Sequence, residues 1–289
     1  MFSCGRKGHN PNCPHGDQLS RAVAAPELPS SQAGFLRGEP LVHVLIPPGA
    51  DRSASPIRNG RGRNRLLGRM WDRRARSWDH GGSVGLERVV DAVLKVAEVH
   101  GGTVAVDLGC GTGQLSLPLA RKGAYVTAVD LSPAMVRRLE EKATSAELDN
   151  IVGVVSSVEA FDLPPGSVDL VVSNYALHHL RDRDKEALVQ VVARWLRPGG
   201  QLVVGDMMFG RGATARDRAI IGSKVAVLAR RGPGGWWRLV KNVGRFTLRL
   251  QERPVTMETW QRYFQSAGFE DISVIQVVSE AAVVVGTKP

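Results

Sequence analysis

Short, continuous apolar runs alternate with segments of helical periodicity from about residue 86 onward. The runs at 104–108, 125–129 and 168–172 are rich in Val, Ala and Leu. Runs of this length with few polar positions are typical of strands that are buried on both faces. Because helical patterns separate them, we predict βαβ units and therefore a parallel sheet.

Three helices carry clear boundary signals. The first is predicted over 86–100, because its apolar residues recur on one face and two glycines follow it. The second opens at Ser132, a good N-cap, with Pro133 at its first position, and runs to about residue 146. The third is predicted over 256–267 and is followed by a glycine.

The last two apolar runs, 272–278 and 281–286, are separated by only about two residues. A parallel crossover needs a much longer connection, so these strands should pair as an antiparallel hairpin. We therefore predict an α/β fold whose sheet is mostly parallel and ends in an antiparallel C-terminal hairpin.

The composition is that of an ordinary globular protein, with 289 residues of which 43% are hydrophobic. No apolar run approaches the ~18 residues that a membrane span requires, and the first residues lack the apolar stretch of a signal peptide. The odd number of cysteines, three, does not suggest a disulfide framework. These features predict a cytoplasmic protein.

The net charge of +10 is concentrated in two segments. Residues 1–70 hold ten basic and four acidic side chains, and residues 210–250 hold ten basic side chains and one acidic side chain. The rest of the chain is therefore acidic, which argues against a protein that coats nucleic acid. Nucleic acid is not expected as a partner.

Residues 1–65 are rich in Gly, Pro, Ser and Arg, and we predict a disordered basic leader there. Alternatively, translation starts lower, for instance at Met70, and the leader is absent from the mature protein. Residues 66–289 are predicted to form one domain with a basic helical insertion at 210–250. The first 15 residues of the leader hold two cysteines and two histidines, but an upstream cysteine is missing and one spacing is a residue short, so we predict no metal site. They are Cys4, His9, Cys13 and His15.

The first predicted strand leads through Asp107 into a loop with glycines at alternate positions, Gly109, Gly111 and Gly113. Glycines let a ligand approach bare backbone, because they tolerate positive φ and leave N–H groups uncovered. The dinucleotide fingerprint Gly-x-Gly-x-x-Gly fails at Gln114, and the Lys-Ser/Thr of a P-loop is also missing.

The remaining motif, Asp-x-Gly-x-Gly-x-Gly, resembles motif I of the class I S-adenosylmethionine-dependent methyltransferases. Asp130 ends the second predicted strand, where an acid can accept hydrogen bonds from both ribose hydroxyls. The run at 168–173 and the Leu-Arg-Pro-Gly-Gly turn at 196–200 also resemble motifs of this family, most nearly of its ubiquinone/menaquinone-biosynthesis-type branch. The resemblance implies a Rossmann-like sheet of seven strands with helices on both faces, and S-adenosyl-L-methionine as cofactor.

The resemblance also implies which residues contact the cofactor. Asp107 would orient the glycine loop or reach the methionine ammonium through water, and Asp130 would hold the ribose. Where family members often carry an acid for the adenine amino group, this chain has Ser157, so adenine is held by Ser157 and the Val158 backbone or by Asp162. The predicted cofactor-binding residues are Asp107, Gly109, Cys110, Gly111, Gly113, Asp130, Leu131, Ser157, Val158 and Asn174.

His178 and His179 follow the fourth predicted strand, in a loop that resembles the family segment facing both the sulfonium and the acceptor. Imidazoles accept protons near neutral pH, so both are candidate catalytic bases. The alternative is that one of them caps or packs beneath the loop.

Two further segments resemble parts of the family that enclose the substrates. Residues 71–80 resemble a segment that folds over the cofactor, although an amphipathic helix packed on the sheet would show the same pattern. The insertion at 210–250 is a substrate lid, a weak contact with an anionic membrane surface, or a solvated helical hairpin. Its large side chains favour an aromatic or lipophilic acceptor; they are Trp236, Trp237 and Phe246.

The sequence therefore predicts an enzyme that transfers a methyl group from S-adenosylmethionine to a small-molecule acceptor by in-line displacement. One alternative is an RNA methyltransferase, for which the basic segments would provide the electrostatic attraction. Another is a regulator or membrane-associated factor that binds the cofactor without catalysis. The sequence leaves the acceptor and the oligomeric state open.

Overall fold

The computed structural model describes residues 61–78, 84–210 and 253–289, together with six helical residues between 215 and 226. The leader with its Cys/His cluster, residues 79 and 80, and most of the predicted insertion lie outside the described residues. Their predicted roles therefore stay predictions. A helix begins at Arg61, within the last five residues of the predicted leader.

Seven strands form one mixed sheet in the order β3-β2-β1-β4-β5-β7-β6. The first five strands are parallel, and β7 runs antiparallel to both β5 and β6. The strands are β1 Val104–Leu108, β2 Tyr125–Asp130, β3 Ile151–Val155, β4 Val168–Asn174, β5 Leu196–Met207, β6 Glu270–Val278 and β7 Ala281–Thr287. The predicted mostly parallel sheet with an antiparallel C-terminal hairpin is confirmed.

Helices cover both faces of the sheet, and each face has its own apolar core. Buried side chains of α2, α3 and α4 pack on one face, and those of α5 and α6 pack on the other. The helices are α1 Arg61–Trp78, α2 Val84–Val96, α3 Ser116–Arg121, α4 Pro133–Ser145, α5 Asp182–Trp195 and α6 Met257–Ser266, with a short 3-10 helix at Leu177–His179.

The predicted start signals of two helices are present in the structure. Ser132 accepts a hydrogen bond from Met135 N and caps α4, with Pro133 at the first helical position. Thr256 caps α6 in the same way by accepting from Thr259 N. Each cap satisfies an N–H group that the helix itself leaves without a partner.

The structure changes the end of α2, which stops at Val96 rather than near residue 100. The next backbone N–H groups leave the helical pattern, because Glu98 N donates to Gln201 Oε1 and His100 N donates to Thr103 Oγ1. The predicted turn at 196–200 lies inside β5, where Val168 pairs with Leu196 and Leu170 pairs with Gln201. The extra residues of β5 form a bulge in which Gly199 has a φ of 79°.

Candidate active site

A cleft of about 950 Å³, including its open mouth, lies at the carboxyl ends of the parallel strands. Its lining includes residues at the ends of β1, β2 and β4 and in the loops that follow them. The strand order reverses direction between β1 and β4, and ligands of open α/β sheets bind at such switch points. The position of the cleft suits a small-molecule cofactor.

The glycine loop forms one wall of the cleft through close backbone contacts. Gly109 N and Cys110 N both donate to Val129 O, at 2.8 and 3.0 Å. Gly109 has a φ of 75°, and a Cβ added there would lie 2.2 Å from Ala176 Cβ. Glycine is therefore required at this position both by the backbone conformation and by the neighbouring loop.

Asp130, at the end of β2, joins the glycine loop to the start of α4. Its Oδ2 accepts from Gly111 N at 2.9 Å, and its Oδ1 accepts from Ser132 N at 2.8 Å. Burial raises the pKa of Asp130, while these backbone hydrogen bonds lower it. Each carboxylate oxygen has a second acceptor direction, so the side chain can still accept a hydrogen bond from a ligand hydroxyl.

Asp107 lines the floor of the cleft and is almost completely buried. Burial raises its pKa from 3.8 to about 7, although the hydrogen bond that Ser116 Oγ donates to Oδ2 at 2.6 Å opposes the shift. The carboxyl group is therefore poised to change charge near neutral pH when a ligand cation approaches. Burial also raises the pKa of the neighbouring Cys110 thiol, which argues against a thiolate nucleophile in the loop.

The predicted adenine region follows β3. Ser157 and Val158 line the cleft, as does Glu159, which the sequence analysis did not select. Asp162, the alternative adenine ligand, instead accepts a hydrogen bond from Trp195 Nε1 at 2.8 Å and is not among the lining residues. Of the predicted adenine ligands, Ser157 and Val158 therefore line the cleft and Asp162 does not, and the adenine contact stays a prediction.

The opposite side of the cleft is built by the loop after β4. Asn174, Tyr175, Ala176 and His179 all line the cleft there. Tyr175 has a φ of 49°, a conformation that non-glycine residues rarely adopt outside functional or tightly constrained loops. Burial raises the pKa of its phenol, so this side chain stays neutral.

The two candidate bases occupy different environments. His179 lines the cleft, whereas His178 is buried outside the lining, with the two ring centroids 4.1 Å apart. His178 Nδ1 lies 2.6 Å from Asp206 Oδ1, and His178 N donates to Asp206 Oδ2 at 2.8 Å. Asp206 is a long-range partner near the end of β5 that no local motif indicated.

Helix α1 lies along the cleft and contributes Asn64, Leu67 and Trp71 to its lining. The Trp71 ring meets the His179 ring edge-on, with centroids 5.5 Å apart. The predicted segment at 71–80 is therefore helical over its described part and faces the cleft rather than only the sheet.

The predicted site residues mostly come together in the structure. Nine of the ten predicted cofactor-binding residues, all except Gly113, line the cleft. Gly113 faces away from it, because a Cβ added there would contact Leu139 and Leu117. Their roles in binding stay predictions.

The described ranges contain no group of three or more His, Cys, Asp or Glu side chains arranged for a metal ion. Within the same ranges, no helix combines the length and the apolarity that crossing a bilayer would require. The cytoplasmic location remains a prediction.

The cleft fits a nucleoside that carries an amino-acid chain. Asp130 offers a carboxylate for ribose hydroxyls, Asp107 offers a buried acid for an ammonium group, and the glycine loop offers open backbone. Leu131, Met135 and Val158 offer an apolar surface that a purine ring could contact. These donors and acceptors match the chemistry of S-adenosylmethionine.

Comparison with known proteins supports this assignment. Residues 105–200 match the family described as a methyltransferase domain. The ubiquinone biosynthesis O-methyltransferase of Xanthomonas oryzae pv. oryzae is 37% identical over 134 residues, which cover 45% of this chain and 54% of that protein. The 27-O-demethylrifamycin SV methyltransferase of Amycolatopsis mediterranei is 32% identical over 124 residues, 42% of this chain and 44% of that protein. The match thus spans about half the length of these relatives.

The fold is also shared with solved structures. The 4+2 cyclase SpnF superposes with a TM-score of 0.58 at 16% identity, covering 78% of this chain and 96% of that one. That similarity concerns the fold alone, whereas the methyltransferase family match rests on sequence. The sequence matches, the strand order and the cleft together support a class I S-adenosylmethionine-dependent methyltransferase.

Proposed function

We propose that the protein transfers a methyl group from S-adenosylmethionine to a hydroxyl oxygen of a neutral, aromatic or lipophilic small molecule. The observation that carries the proposal is that one cleft is lined both by acids and glycines and by a set of apolar side chains together with His179. We assign these apolar residues to an acceptor half of the cleft; they are Leu67, Trp71, Leu86, Tyr175, Ala176 and Leu180.

The charge of the lining supports a neutral acceptor. Among the residues that the structure describes, no lysine or arginine lines the cleft, whereas Asp107, Asp130 and Glu159 do. An acceptor with a phosphate or carboxylate would meet acids without a compensating cation there. The two named relatives, for ubiquinone biosynthesis and for a demethylrifamycin, support a small molecule with an oxygen acceptor.

When bound, S-adenosylmethionine supplies an electrophilic methyl group. The chain's contribution is to hold the acceptor oxygen in line with that group and to exclude water, which accounts for the apolar walls around Trp71 and Tyr175. A new C–O bond forms as the C–S bond breaks, and the hydroxyl proton must leave. We assign the acceptance of this proton to His179, which lines the cleft.

His178 and Asp206 support this assignment as positioning residues. The Asp206 carboxylate fixes the orientation of the His178 ring, and that ring packs against the His179 ring. An acid that hydrogen-bonds an imidazole typically sets its tautomer and its orientation. The proposed base therefore packs against a ring that a buried carboxylate holds in place.

The proposal is tested by transfer of radiolabelled methyl groups to a panel of phenols and hydroxyquinones, with total RNA as a separate acceptor. We expect methylation of a phenolic compound and none of RNA. With that acceptor, His179→Gln should lower kcat by roughly a hundredfold or more, whereas His100→Gln, an exposed histidine after α2, should not change it.

Two outcomes would contradict the proposed transfer, and a third would contradict only the assigned base. Methylation of RNA alone would favour the RNA methyltransferase alternative. Cofactor binding without transfer to any member of the panel would favour a regulator. An unchanged kcat in His179→Gln would remove the assigned base while leaving the transfer itself intact.

A further inference from the structure

We propose that Asp72 fastens helix α1 to the ribose end of the cofactor cleft and thereby controls how fast the cofactor leaves. Asp72 Oδ1 accepts a hydrogen bond from Ser132 Oγ at 2.6 Å and a second one from Ala134 N at 3.2 Å. These contacts join residues that are about sixty positions apart in sequence, so they reflect the tertiary fold rather than local geometry.

The contact is chemically well matched, because it lies at the N-terminus of α4. Ser132 Oγ accepts from Met135 N at 3.2 Å as the N-cap, and its own hydroxyl proton is donated to Asp72. The Asp72 carboxylate then receives a second N–H group of the same helix end. A negative charge is favoured there by the helix dipole and by the N–H groups that the helix leaves unpaired.

The same serine connects Asp72 to the predicted ribose ligand. Ser132 N donates to Asp130 Oδ1 at 2.8 Å while Ser132 Oγ donates to Asp72. Ser132 thus binds Asp72 of helix α1 through its hydroxyl group and the Asp130 carboxylate through its backbone N–H. Any motion that separates Asp72 from Ser132 also disturbs the group that orients Asp130.

Close backbone packing accompanies the polar contact. Gly68, one turn before Asp72, is buried, and a Cβ added there would lie 3.6 Å from Leu131 O. Helix α1 packs against α4 along this part of the chain. The helix therefore lies directly on the segment between Asp130 and Ser132.

The other side of α1 reaches the acceptor half of the cleft. Trp71, the neighbour of Asp72, meets His179 edge-on, and the Arg74 guanidinium lies 5.1 Å from the centroid of the Trp71 ring. Adjacent residues of one helix turn thus contact the ribose end through Asp72 and the proposed base through Trp71. Helix α1 spans both halves of the cleft, and Asp72 is its polar attachment.

This inference rests on the proposed cofactor site. If the cofactor lies beneath α1, its release requires α1 to separate from α4, and the Asp72–Ser132 hydrogen bond opposes that step. Asp72 is then a positioning residue: its loss should raise the KM for S-adenosylmethionine and its release rate, with a smaller effect on kcat. The loss of a residue that only stabilises the fold would not raise the KM and the release rate more than it changes kcat.

The test compares Asp72→Ala with Asp72→Asn, because the amide oxygen of Asn can still accept from Ser132 Oγ and Ala134 N. Release of radiolabelled S-adenosylmethionine, chased with unlabelled cofactor, should be about tenfold faster in Asp72→Ala, corresponding to about 1.4 kcal/mol. Asp72→Asn should stay within about twofold of the wild type. Arg73→Ala, on an exposed position of the same helix, is the matched control and should match the wild type.

A second measurement does not depend on the cofactor. Hydrogen exchange of the amides in α1 of the cofactor-free protein should accelerate in Asp72→Ala and not in Asp72→Asn. In a double-mutant cycle with Ser132→Ala, the Asp72→Ala effect on this exchange should shrink, since the shared hydrogen bond is already lost.

The two readouts separate the two claims. If the wild type binds no S-adenosylmethionine but α1 exchange responds as expected, the proposed cofactor site fails and the role of Asp72 in cofactor release fails with it, while its attachment of α1 stands. If the wild type binds the cofactor and Asp72→Ala changes neither release nor exchange, the inference is overturned and the cofactor site stands. Equal acceleration in Asp72→Asn and Asp72→Ala would also overturn it, because the hydrogen bonds would then not be the cause.

Discussion

His178 Nδ1 lies 2.6 Å from Asp206 Oδ1, and both side chains are buried. The same carboxylate accepts from two backbone N–H groups, those of His178 and Met207, at 2.8 and 2.7 Å. It therefore joins the end of β5 to the loop that follows β4, and this loop carries the acceptor side of the cleft. The pair is a structural support for the proposed base as much as a part of the chemistry.

Because Asp206 holds this loop, we predict that its removal strongly lowers the free energy of unfolding. In Asp206→Ala, buried N–H groups lose their acceptor, so the free energy of unfolding should fall by about 3 kcal/mol. Urea denaturation measures this value, with Asp91→Ala on the exposed side of α2 as the control that should change it little. A loss as small as that of the control would show that the pair does not hold the loop.

A second prediction concerns the stability cost of replacing Gly109, for which Gly199 provides a matched control. Both glycines have positive φ, 75° and 79°, but only Gly109 faces a neighbour at clashing distance, Ala176 Cβ at 2.2 Å. Gly199→Ala should cost about 1 kcal/mol from backbone strain alone. Gly109→Ala should cost about 3 kcal/mol or more and displace the loop at Ala176.

The measurement is thermal or urea unfolding of both variants, followed by cofactor titration of the folded protein. Cofactor affinity should be lost in Gly109→Ala and retained in Gly199→Ala. Similar unfolding and binding in the two variants would mean that the contact with Ala176 does not shape the site.

The features that sequence predicted are those carried by local patterns. The apolar runs around Asp107 and Asp130, the Ser132–Pro133 helix start and the two-residue hairpin turn each depend on neighbouring residues, and each appears in the structure. The hydrogen bond from Gly111 N to Asp130 was not predicted, although it follows from the parallel sheet, which brings the carboxyl ends of neighbouring strands to one edge.

The features that sequence missed are contacts between distant segments. Asp206 is 28 positions from His178, and Asp72 is 60 positions from Ser132. Nothing in the local pattern distinguishes His178 from His179, yet the fold buries one against Asp206 and places the other in the cleft. The early end of α2 also depends on a contact between distant segments, because Glu98 N donates a hydrogen bond to Gln201 Oε1 of β5.

Asp107 predicts a specific dependence of stability on pH. Burial raises its pKa from 3.8 to about 7, so between these values the folded protein keeps a proton that the unfolded chain has released. The free energy of unfolding should therefore fall as pH rises through this interval, by up to about 1.4 kcal/mol per pH unit. Asp107→Asn should remove that slope, as urea denaturation at several pH values would show. An unchanged slope in the variant would place the proton on another group.

We also predict that cofactor binding releases a proton from the Asp107 carboxyl group. A cation next to Asp107 favours its ionised form and lowers its pKa, so binding near pH 7 should release part of a proton and should tighten as pH rises through 7. Calorimetry in buffers with different ionisation enthalpies measures the release directly. Asp107→Asn should abolish it. Proton uptake in the wild type, or no exchange at all, would show that the methionine ammonium does not lie near Asp107.

The assignment of the cleft to the cofactor is tested by calorimetric titration of S-adenosylmethionine into the wild type, Asp130→Ala and Asp130→Asn, with the exposed Asp149→Ala as control. Each variant's melting curve is recorded first, so that a folding defect is recognised. We expect micromolar binding by the wild type and the control. Loss of the ribose contacts should weaken binding by roughly 10- to 100-fold in folded Asp130→Ala. No binding by the wild type, or equal affinity in all the variants, would contradict the assignment of this cleft to the cofactor.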